Sequence, residues 1–347
     1  MKGKKPYIIA EIGVNFYDTA RVMGITPMDA AKLYIDKAAE VGIDCAKFQS
    51  YKARTIASKN SPAYWDINKE PTKTQYELFL KHDSFGEAEY RDLCNYAHSK
   101  GLDFTSTPFD YASADYLLDM VDFYKISSSD LSNIPFIRHI GEKRKPVVLS
   151  VGAAYLSEVD EAIRALKESG CRDITILHCV LSYPTDSKNA NLKVIETLKK
   201  VFPDIKVGYS DHVAPDNTMM TLSVAYMMGA EVIEKHFTLD KTLTGNDHYH
   251  AGDPSDFKKA ISNFRWIDTV LGNPEKTVLE CEEVSRREAR RSLVLTRDIK
   301  TGEVIKREDI MPKRPGTGIS PENIDIVIGR KAVRDLEEDT ILTWDMV

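Results

Sequence analysis

Short apolar runs alternate with helical stretches along most of the chain. Continuous apolar runs between helices are typical of parallel strands that are covered by helices on their outer face. Eight such units end by about residue 272, which favours a closed (β/α)8 TIM barrel over a doubly wound open sheet, because no GxGxxG motif follows the first run. Polar side chains follow the successive runs: Glu11, Lys47, Thr107, Lys125, Ser150, His178, His212 and His236.

Two parts of the chain depart from this alternation. Residues 50–85 are polar and contain Tyr64 and Trp65, and loops of this length usually carry function or cover a site. A charged connector, predicted to be helical, begins near residue 279. It is followed by a segment of short β-runs and turns that is too small to form a stable domain alone. The predicted units are a barrel over 1–278, a linker over 279–291 and a small β-rich domain over 292–347.

Composition and charge narrow the class of protein. The net charge of −6 disfavours nucleic acid as the main partner, and no apolar run approaches the length of about 20 residues that spans a bilayer. The 5 cysteines are scattered without a CxxC motif, which is typical of reduced, cytoplasmic proteins. Since the barrel's polar residues lie at the strand ends where such barrels perform catalysis, we expect a cytoplasmic enzyme.

Lysines at the ends of two predicted strands indicate a binding site for an anion. Lys47 and Lys125 each follow a buried run, and a buried lysine is rare without a partner. Two lysines at one barrel mouth favour a phosphate or carboxylate ligand, with structural salt bridges as the alternative. The hydroxyls of Thr107, Ser128 and Ser210 could bind phosphate oxygens, although each alone is also a common cap or turn residue.

Histidines at the ends of strands seven and eight predict a metal site. His212 and His236 would supply two imidazoles, and a mixed nitrogen and oxygen site suits Mn²⁺ better than structural zinc. Asp247, His248 and His250 follow closely and strengthen this interpretation. The alternative is that each histidine is a hydrogen-bonded structural residue.

Carboxylates complete the predicted site. Glu11 closes the first strand and is a candidate general acid or base, or alternatively a partner of the neighbouring strand's lysine. Asp130 and Asp247 could bind hydroxyls or cap helices. Together, the two lysines, the metal site and the carboxylates suit a phosphorylated three-carbon acid that reacts with a metal-polarised carbonyl.

Ordered motifs along the whole chain resemble the sialic acid (N-acetylneuraminate) synthase family. The tail at residues 313–319 (KRPGTGI) is similar to that family's antifreeze-like (SAF) domain. The barrel motifs are residues 10–15 (AEIGVN), 46–49 (AKFQ), 106–110 (STPFD), 125–128 (KISS), 208–212 (GYSDH) and 233–240 (IEKHFTLD).

This resemblance implies condensation of phosphoenolpyruvate with an N-acyl hexosamine and water, giving a nine-carbon 2-keto acid and phosphate. We favour N-acetylmannosamine as the acceptor, with a diacetamido-dideoxyhexose leading to legionaminate or pseudaminate as the alternative. It also implies a domain-swapped homodimer in which Arg314 reaches the sugar bound to the other subunit. The implied roles are acid/base for Glu11; phosphoenolpyruvate binding for Lys47, Thr107, Lys125, Ser128 and Ser210; sugar binding for Gln49, Asp130, Tyr183, Asp247 and Arg314; and metal binding, with Mn²⁺ favoured over Mg²⁺ or Co²⁺, for His212 and His236.

Four positions depart from the family pattern. Phe16 and Asn246 replace a histidine and a proline, Leu181 replaces an Asn or Ser that contacts phosphate, and Asp130 replaces the longer Glu. These changes bear on the choice of sugar more than on the reaction.

Two other functions are compatible with parts of the chain. A Schiff-base aldolase would use Lys125 or Lys235 as a nucleophile, but it would not require the histidine pair. A carbohydrate- or ice-binding protein would leave the lysines and histidines of the barrel unexplained.

Overall fold

The computed structural model describes residues 5–245 and 247–347, so Asn246 lies outside the described residues. The chain divides into two compact units, one that ends at Gly272 and one that begins at Asn273. The first unit contains a single sheet of eight parallel strands among its described residues. These strands are β1 (Tyr7–Gly13), β2 (Cys45–Ser50), β3 (Asp103–Pro108), β4 (Tyr124–Ile126), β5 (Val147–Ser150), β6 (Ile174–Cys179), β7 (Lys206–Asp211) and β8 (Val232–His236).

The sheet closes into a barrel. The strand order is β3-β2-β1-β8-β7-β6-β5-β4, so β3 and β4 are the two ends of the paired series. They meet where the Asp122 N–H donates to the Phe104 carbonyl at 2.9 Å and the Thr105 hydroxyl donates to the Phe123 carbonyl at 2.6 Å. The predicted (β/α)8 architecture is confirmed.

Helices cover the outside of the barrel, and their ends follow local sequence signals. The helix over residues 27–41 begins at Pro27, where the Thr26 hydroxyl accepts the Asp29 N–H at 3.1 Å, and it ends before Gly42. Residues 50–85 contain two short helices, which the sequence did not indicate. The helices of this unit are α1 (Asn15–Met23), α2 (Pro27–Val41), α3 (Ala53–Ile56), α4 (Gln75–Lys81), α5 (Glu87–Ser99), α6 (Tyr111–Tyr116), α7 (Ile134–Glu142), α8 (Leu156–Glu168), α9 (Val194–Val201), α10 (Met220–Met227) and α11 (Pro254–Leu271).

The inside of the barrel has an apolar layer below a polar one. Successive side chains of a strand point to opposite faces, so Ile9 and Glu11 both point inward while Ile8 and Ala10 pack against the helices. The polar groups at the upper ends of the strands therefore rest on buried apolar side chains. This lower layer consists of Ile9, Cys45, Phe123, Val148, Leu177 and Val232.

The second unit is small and β-rich. Strands β9 (Ser292–Leu295) and β10 (Ile310–Lys313) pair in antiparallel fashion, and helices α12 (Glu283–Ala289) and α13 (Ile324–Val327) complete it. α12 lies within the predicted helical connector. Among residues 5–245 and 247–347, no helix has both the length and the apolar content needed to cross a membrane. The core of this unit consists of Leu293, Leu295, Ile299, Ile305, Ile310, Ile319, Val327, Ala332, Leu336 and Leu342.

Candidate active site

One cavity of about 550 Å³ opens at the carboxyl ends of the barrel strands. Every site residue predicted in the barrel contributes to its lining, so the parallel strands bring together side chains that are far apart in sequence. Arg314 follows β10 in the second unit and is exposed, and its role stays a prediction. The predicted residues in the lining are Glu11, Lys47, Gln49, Thr107, Lys125, Ser128, Asp130, Tyr183, Ser210, His212, His236 and Asp247.

Glu11 is held by two side chains of the neighbouring strand. Strand register places Glu11 opposite Lys47, whose ammonium forms an ion pair with Oε2 of Glu11. The Gln49 amide donates to Oε1 of Glu11 at 2.6 Å. Gly13 has a φ of +56°, and a Cβ there would lie 3.1 Å from the Gln49 amide nitrogen, so a side chain would crowd this bond. Glu11 therefore lines the cavity and also pairs with the lysine of the neighbouring strand, and its role as an acid or base stays a prediction.

Glu234 lies between the two predicted lysines. Its carboxylate oxygens lie 3.7 Å from the Lys47 ammonium and 3.7 Å from the Lys125 ammonium, and one accepts the Ser210 hydroxyl at 2.9 Å. Sequence reasoning gave Glu234 no role. The available signal was its position two residues before His236 on β8, because alternate residues of a strand share one face.

Burial and neighbouring charges set the ionisation of this cluster. Burial raises the pKa of Glu11. The positive charge of Lys47 acts to lower this pKa and the negative charge of Glu234 acts to raise it, and the net result is a raised pKa. Burial also opposes ionisation of Glu234, yet Lys125 and Lys47 outweigh it and lower the pKa of that carboxyl. Burial lowers the pKa of Lys125, whereas the two carboxylates offset burial and raise the pKa of Lys47. Lys47 therefore stays protonated between two carboxyl groups.

Hydroxyl groups surround the two ammonium groups. Lys125 donates to the Ser150 hydroxyl at 2.7 Å, and Lys47 donates to the Thr107 hydroxyl at 3.3 Å. The Ser128 hydroxyl accepts the Gly152 N–H at 2.9 Å. Charged and neutral donors thus face one side of the cavity, an arrangement that suits a multiply charged oxyanion.

Three imidazoles meet around Tyr183. The Tyr183 ring lies 4.3 Å from the His212 ring and 5.5 Å from the His250 ring, measured between centroids, and the His236 and His250 rings are 4.8 Å apart. Nδ1 of His212 bonds to the Val180 carbonyl at 2.8 Å as its donor, which leaves Nε2 as an acceptor. Burial lowers the pKa of His212 to about 4, so its imidazole is neutral.

His236, Asp247 and His250 form a group with the spacing of metal ligands. One potential ligand atom from each lies within 4.8 Å of the others, and all three residues are buried. Among the described residues, Nδ1 of His236 and both ring nitrogens of His250 are buried without a hydrogen-bond partner, a state that metal ligation would relieve. Burial, with the Glu11 and Asp18 charges, raises the pKa of Asp247 to about 7. The structure therefore groups residues that fit a divalent metal.

An aromatic wall comes from the segment 50–85. Tyr51, Tyr64, Trp65 and Phe79 contribute to the cavity lining, and the Trp65 indole donates to the Glu70 carbonyl at 3.0 Å. The segment thus takes part in the cavity, as loops of this length commonly do.

Two departures from the family pattern have different surroundings. Leu181 also lines the cavity, where the family pattern has a polar residue. The hydroxyl of the neighbouring Ser182 donates instead to the Pro184 carbonyl at 3.3 Å. Phe16 packs against Phe48 and Phe85 in the outer core. Of these two departures, Leu181 lines the cavity and Phe16 does not, while Asp130, a third departure, lines the cavity as well.

Two polar residues near the strand ends, Lys235 and His178, make structural contacts and do not line the cavity. Lys235 pairs with Asp211 at 2.6 Å and donates to the Val213 carbonyl at 2.7 Å, on the outer face of β8. His178 bonds through Nε2 to the Ala190 carbonyl at 2.9 Å. This placement of Lys235 disfavours the aldolase alternative that used it as a nucleophile.

A closed barrel whose strand ends bring two buried lysines, several carboxyl groups and two histidines into one cavity is typical of a barrel enzyme with its active site at that edge. Sequence comparison gives the family: the profile of the NeuB family matches residues 34–276, and the profile of the SAF domain matches residues 290–347. The chain belongs to the NeuB family, and its tail is an SAF domain.

Individual relatives are similar over nearly their whole length. An uncharacterised protein of Methanocaldococcus jannaschii is 40% identical over 99% of this chain and 95% of its own. The N,N'-diacetyllegionaminic acid synthase of Legionella pneumophila is 37% identical over 98% of this chain and 94% of its own. The crystal structure of N-acetylneuraminic acid synthetase from Leptospira borgpetersenii, in complex with citrate, is 30% identical, with a TM-score of 0.68 over 81% of this chain and 90% of that chain.

Proposed function

We propose that this chain condenses phosphoenolpyruvate with an N-acyl hexosamine and water, forming a nine-carbon 2-keto sugar acid and inorganic phosphate. The observation that carries the proposal is the placement of Glu11 beside Lys47 and within the same cavity as Lys125. An acid/base group and two ammonium groups are what an enol phosphate needs in order to bind and react. We favour N-acetylmannosamine as the acceptor.

Phosphoenolpyruvate would bind at the ammonium groups. Lys47 and Lys125 would contact its phosphate and carboxylate, and the hydroxyls of Thr107, Ser128 and Ser210 would donate to the remaining oxygens. In the free enzyme Glu234 would hold both lysines in place and favour their charged forms, since its carboxylate lies 3.7 Å from both ammonium groups. The anion would then share the two ammonium groups with Glu234.

Carbon–carbon bond formation would begin at C3 of phosphoenolpyruvate, whose electron pair attacks the aldehyde carbon of the open-chain sugar. The aldehyde oxygen takes a proton, and C2 becomes an oxocarbenium centre that water attacks. The water gives up a proton, and cleavage of the C2–O bond releases phosphate and leaves the ketone. Glu11 is suited to the proton transfers, because burial raises its pKa and Gln49 fixes its orientation.

His212 and His236 would hold a divalent metal, with Mn²⁺ favoured because the surrounding ligands mix imidazole and carboxylate. When bound, such an ion polarises a carbonyl oxygen and so favours attack on the aldehyde. Gln49, Asp130, Tyr183 and Asp247 line the cavity and would orient the sugar hydroxyls. A domain-swapped homodimer, in which Arg314 reaches the other subunit's sugar, is part of the proposal.

A second candidate acceptor is a diacetamido-dideoxyhexose. The wall of Tyr64, Trp65 and Phe79, together with Leu181, offers apolar contacts for a methyl group and a second N-acetyl group. The Legionella pneumophila relative, at 37% identity, is an N,N'-diacetyllegionaminic acid synthase. The product would then be legionaminate or pseudaminate.

The test is phosphate release from phosphoenolpyruvate with Mn²⁺ across a panel of N-acyl hexosamines, with mass spectrometry of the product. We expect a nine-carbon keto acid and equimolar phosphate with either N-acetylmannosamine or a diacetamido sugar. Glu11→Gln should lower kcat by about 10²–10⁴-fold, whereas Glu231→Gln, an exposed control, should not. Phosphate release without a carbon–carbon bonded product, or full activity of Glu11→Gln, would contradict the proposal.

A further inference from the structure

We propose that His250 and Asp247 are further ligands of the metal centre, beside the His212 and His236 of the proposed function, so that one imidazole and one carboxylate are added to the two-histidine site. This inference rests on the metal site of the proposed function, and it assigns Asp247 to the metal instead of to a sugar hydroxyl. His212 lies beside this group, with its ring centroid 5.5 Å from that of His236 and 6.3 Å from that of His250.

The distances within the group suit a single ion. Oδ2 of Asp247 lies 3.7 Å from Nδ1 of His236, and Oδ1 of Asp247 lies 3.9 Å from Nε2 of His250. Ligand atoms that each lie about 2.0–2.2 Å from one ion are separated from each other by roughly 3–4 Å. The carboxylate is therefore placed between the two imidazoles at distances that one ion can bridge.

Unsatisfied ring nitrogens give an independent reason for a ligand at this position. His250 has no exposed surface, and neither of its ring nitrogens has a hydrogen-bond partner among the described residues. The facing Nδ1 of His236 is in the same state. A buried imidazole without partners costs free energy, since it has lost its hydration and gained nothing in return. A metal ion at this point would use these lone pairs.

The surroundings also limit the ligand to a cation of a particular kind. The Tyr183 and Tyr249 rings pack against His250, with centroids 5.5 and 5.1 Å from its ring, and so enclose it. Imidazole ligands favour first-row transition metals over Mg²⁺, which prefers oxygen ligands and retains its waters. The structure therefore predicts a site that binds Mn²⁺, Fe²⁺, Co²⁺ or Zn²⁺ in preference to Mg²⁺.

The test is Mn²⁺ binding to chelator-treated protein, followed by electron paramagnetic resonance in the absence of phosphoenolpyruvate and sugar. His250→Ala should weaken Mn²⁺ binding at least 10-fold, and the electron spin echo modulation from directly bound ¹⁴N should fall by one imidazole. His98→Ala is the matched control, because His98 is half-exposed and pairs with Asp122 at 2.9 Å. Excess Mg²⁺ should fail to displace Mn²⁺ from the unmodified protein.

The outcomes separate ligation from folding and from activity. Thermal melting in chelator measures the effect of each change on folding: His250→Ala should lower the Tm because it leaves a cavity, and the more conservative His250→Asn should lower it less. Unchanged nitrogen modulation and affinity in both variants would overturn the proposal, as would ready displacement by Mg²⁺. Because the measurement contains no substrate, the proposal can fail while the condensation reaction stands, and the reverse is also true.

Discussion

Replacing Glu234 with Gln should destabilise the barrel strongly, because it leaves two buried ammonium groups without their shared carboxylate. Each ammonium lies 3.7 Å from a carboxylate oxygen of Glu234. At an effective dielectric constant of 20, each such contact contributes about 4 kcal/mol of Coulomb attraction, while burial of the carboxylate costs several kcal/mol. Removal of one partner from a buried ion cluster should therefore lower the free energy of unfolding by about 3–5 kcal/mol.

Thermal melting of metal-free protein measures this loss. At roughly 2–4 °C per kcal/mol for a large domain, the Tm of Glu234→Gln should fall by about 10 °C. Inorganic phosphate supplies a second signature. Since Lys125 loses its carboxylate partner in this variant and Lys47 keeps only Glu11, phosphate should raise the Tm of Glu234→Gln more than that of the unmodified protein.

Glu231→Gln is the matched control for this measurement. Glu231 lies one residue before β8, is exposed, and has a carboxylate oxygen 3.8 Å from the Lys199 ammonium. Exposed pairs of this kind contribute at most about 1 kcal/mol. A Glu234→Gln protein that melts with the control, and that phosphate stabilises no more than the unmodified protein, would refute the charged-lysine account of the anion site.

Three further changes test other parts of the molecule. Gly208→Ala would place a Cβ 2.4 Å from the Val232 carbonyl oxygen inside the barrel, and denaturant titration should show a loss of at least about 1–3 kcal/mol. Asp253→Ala removes the N-cap of α11 and should cost about 1 kcal/mol at neutral pH. Partial burial opposes ionisation of Asp253, but the hydrogen bond from Ser255 helps lower the pKa of its carboxyl to about 2. Melting curves should therefore show the full stabilisation by Asp253 above about pH 4 and its loss as the pH falls towards 2. Arg314→Ala should raise the sugar KM without weakening phosphoenolpyruvate binding; an unchanged KM would remove Arg314 from the site.

The strand-borne part of the cavity could be predicted because parallel strands impose a simple rule. A polar residue that ends an apolar run comes to the carboxyl edge, and the run before it supplies the buried layer beneath. Glu11, Lys47 and Lys125 follow this rule. The same rule, applied with the two-residue period of β8, would also have identified Glu234.

The loop-borne part could not be predicted in this way. His250 lies in a connection without periodicity, and its approach to His236 depends on how that connection returns to β8. The helices within residues 50–85 are short and depend on tertiary contacts. The Ala53 N–H, for example, donates to the Asp83 carboxylate at 3.0 Å, across a separation that no local pattern encodes.

The division between strands and loops has a consequence for how this enzyme can change. The proposed acid/base residue Glu11 and the lysines Lys47 and Lys125 lie on strands whose inward side chains pack in a common apolar layer. A substitution there therefore disturbs the whole barrel. The aromatic wall of residues 50–85 does not belong to this apolar layer. Exchange of Tyr64 or Trp65 would reshape the part of the cavity where we propose that the acceptor binds, at little cost to the rest of the molecule. Under the proposed function, evolution or a designer can therefore alter the selectivity for the acceptor sugar and keep the reaction.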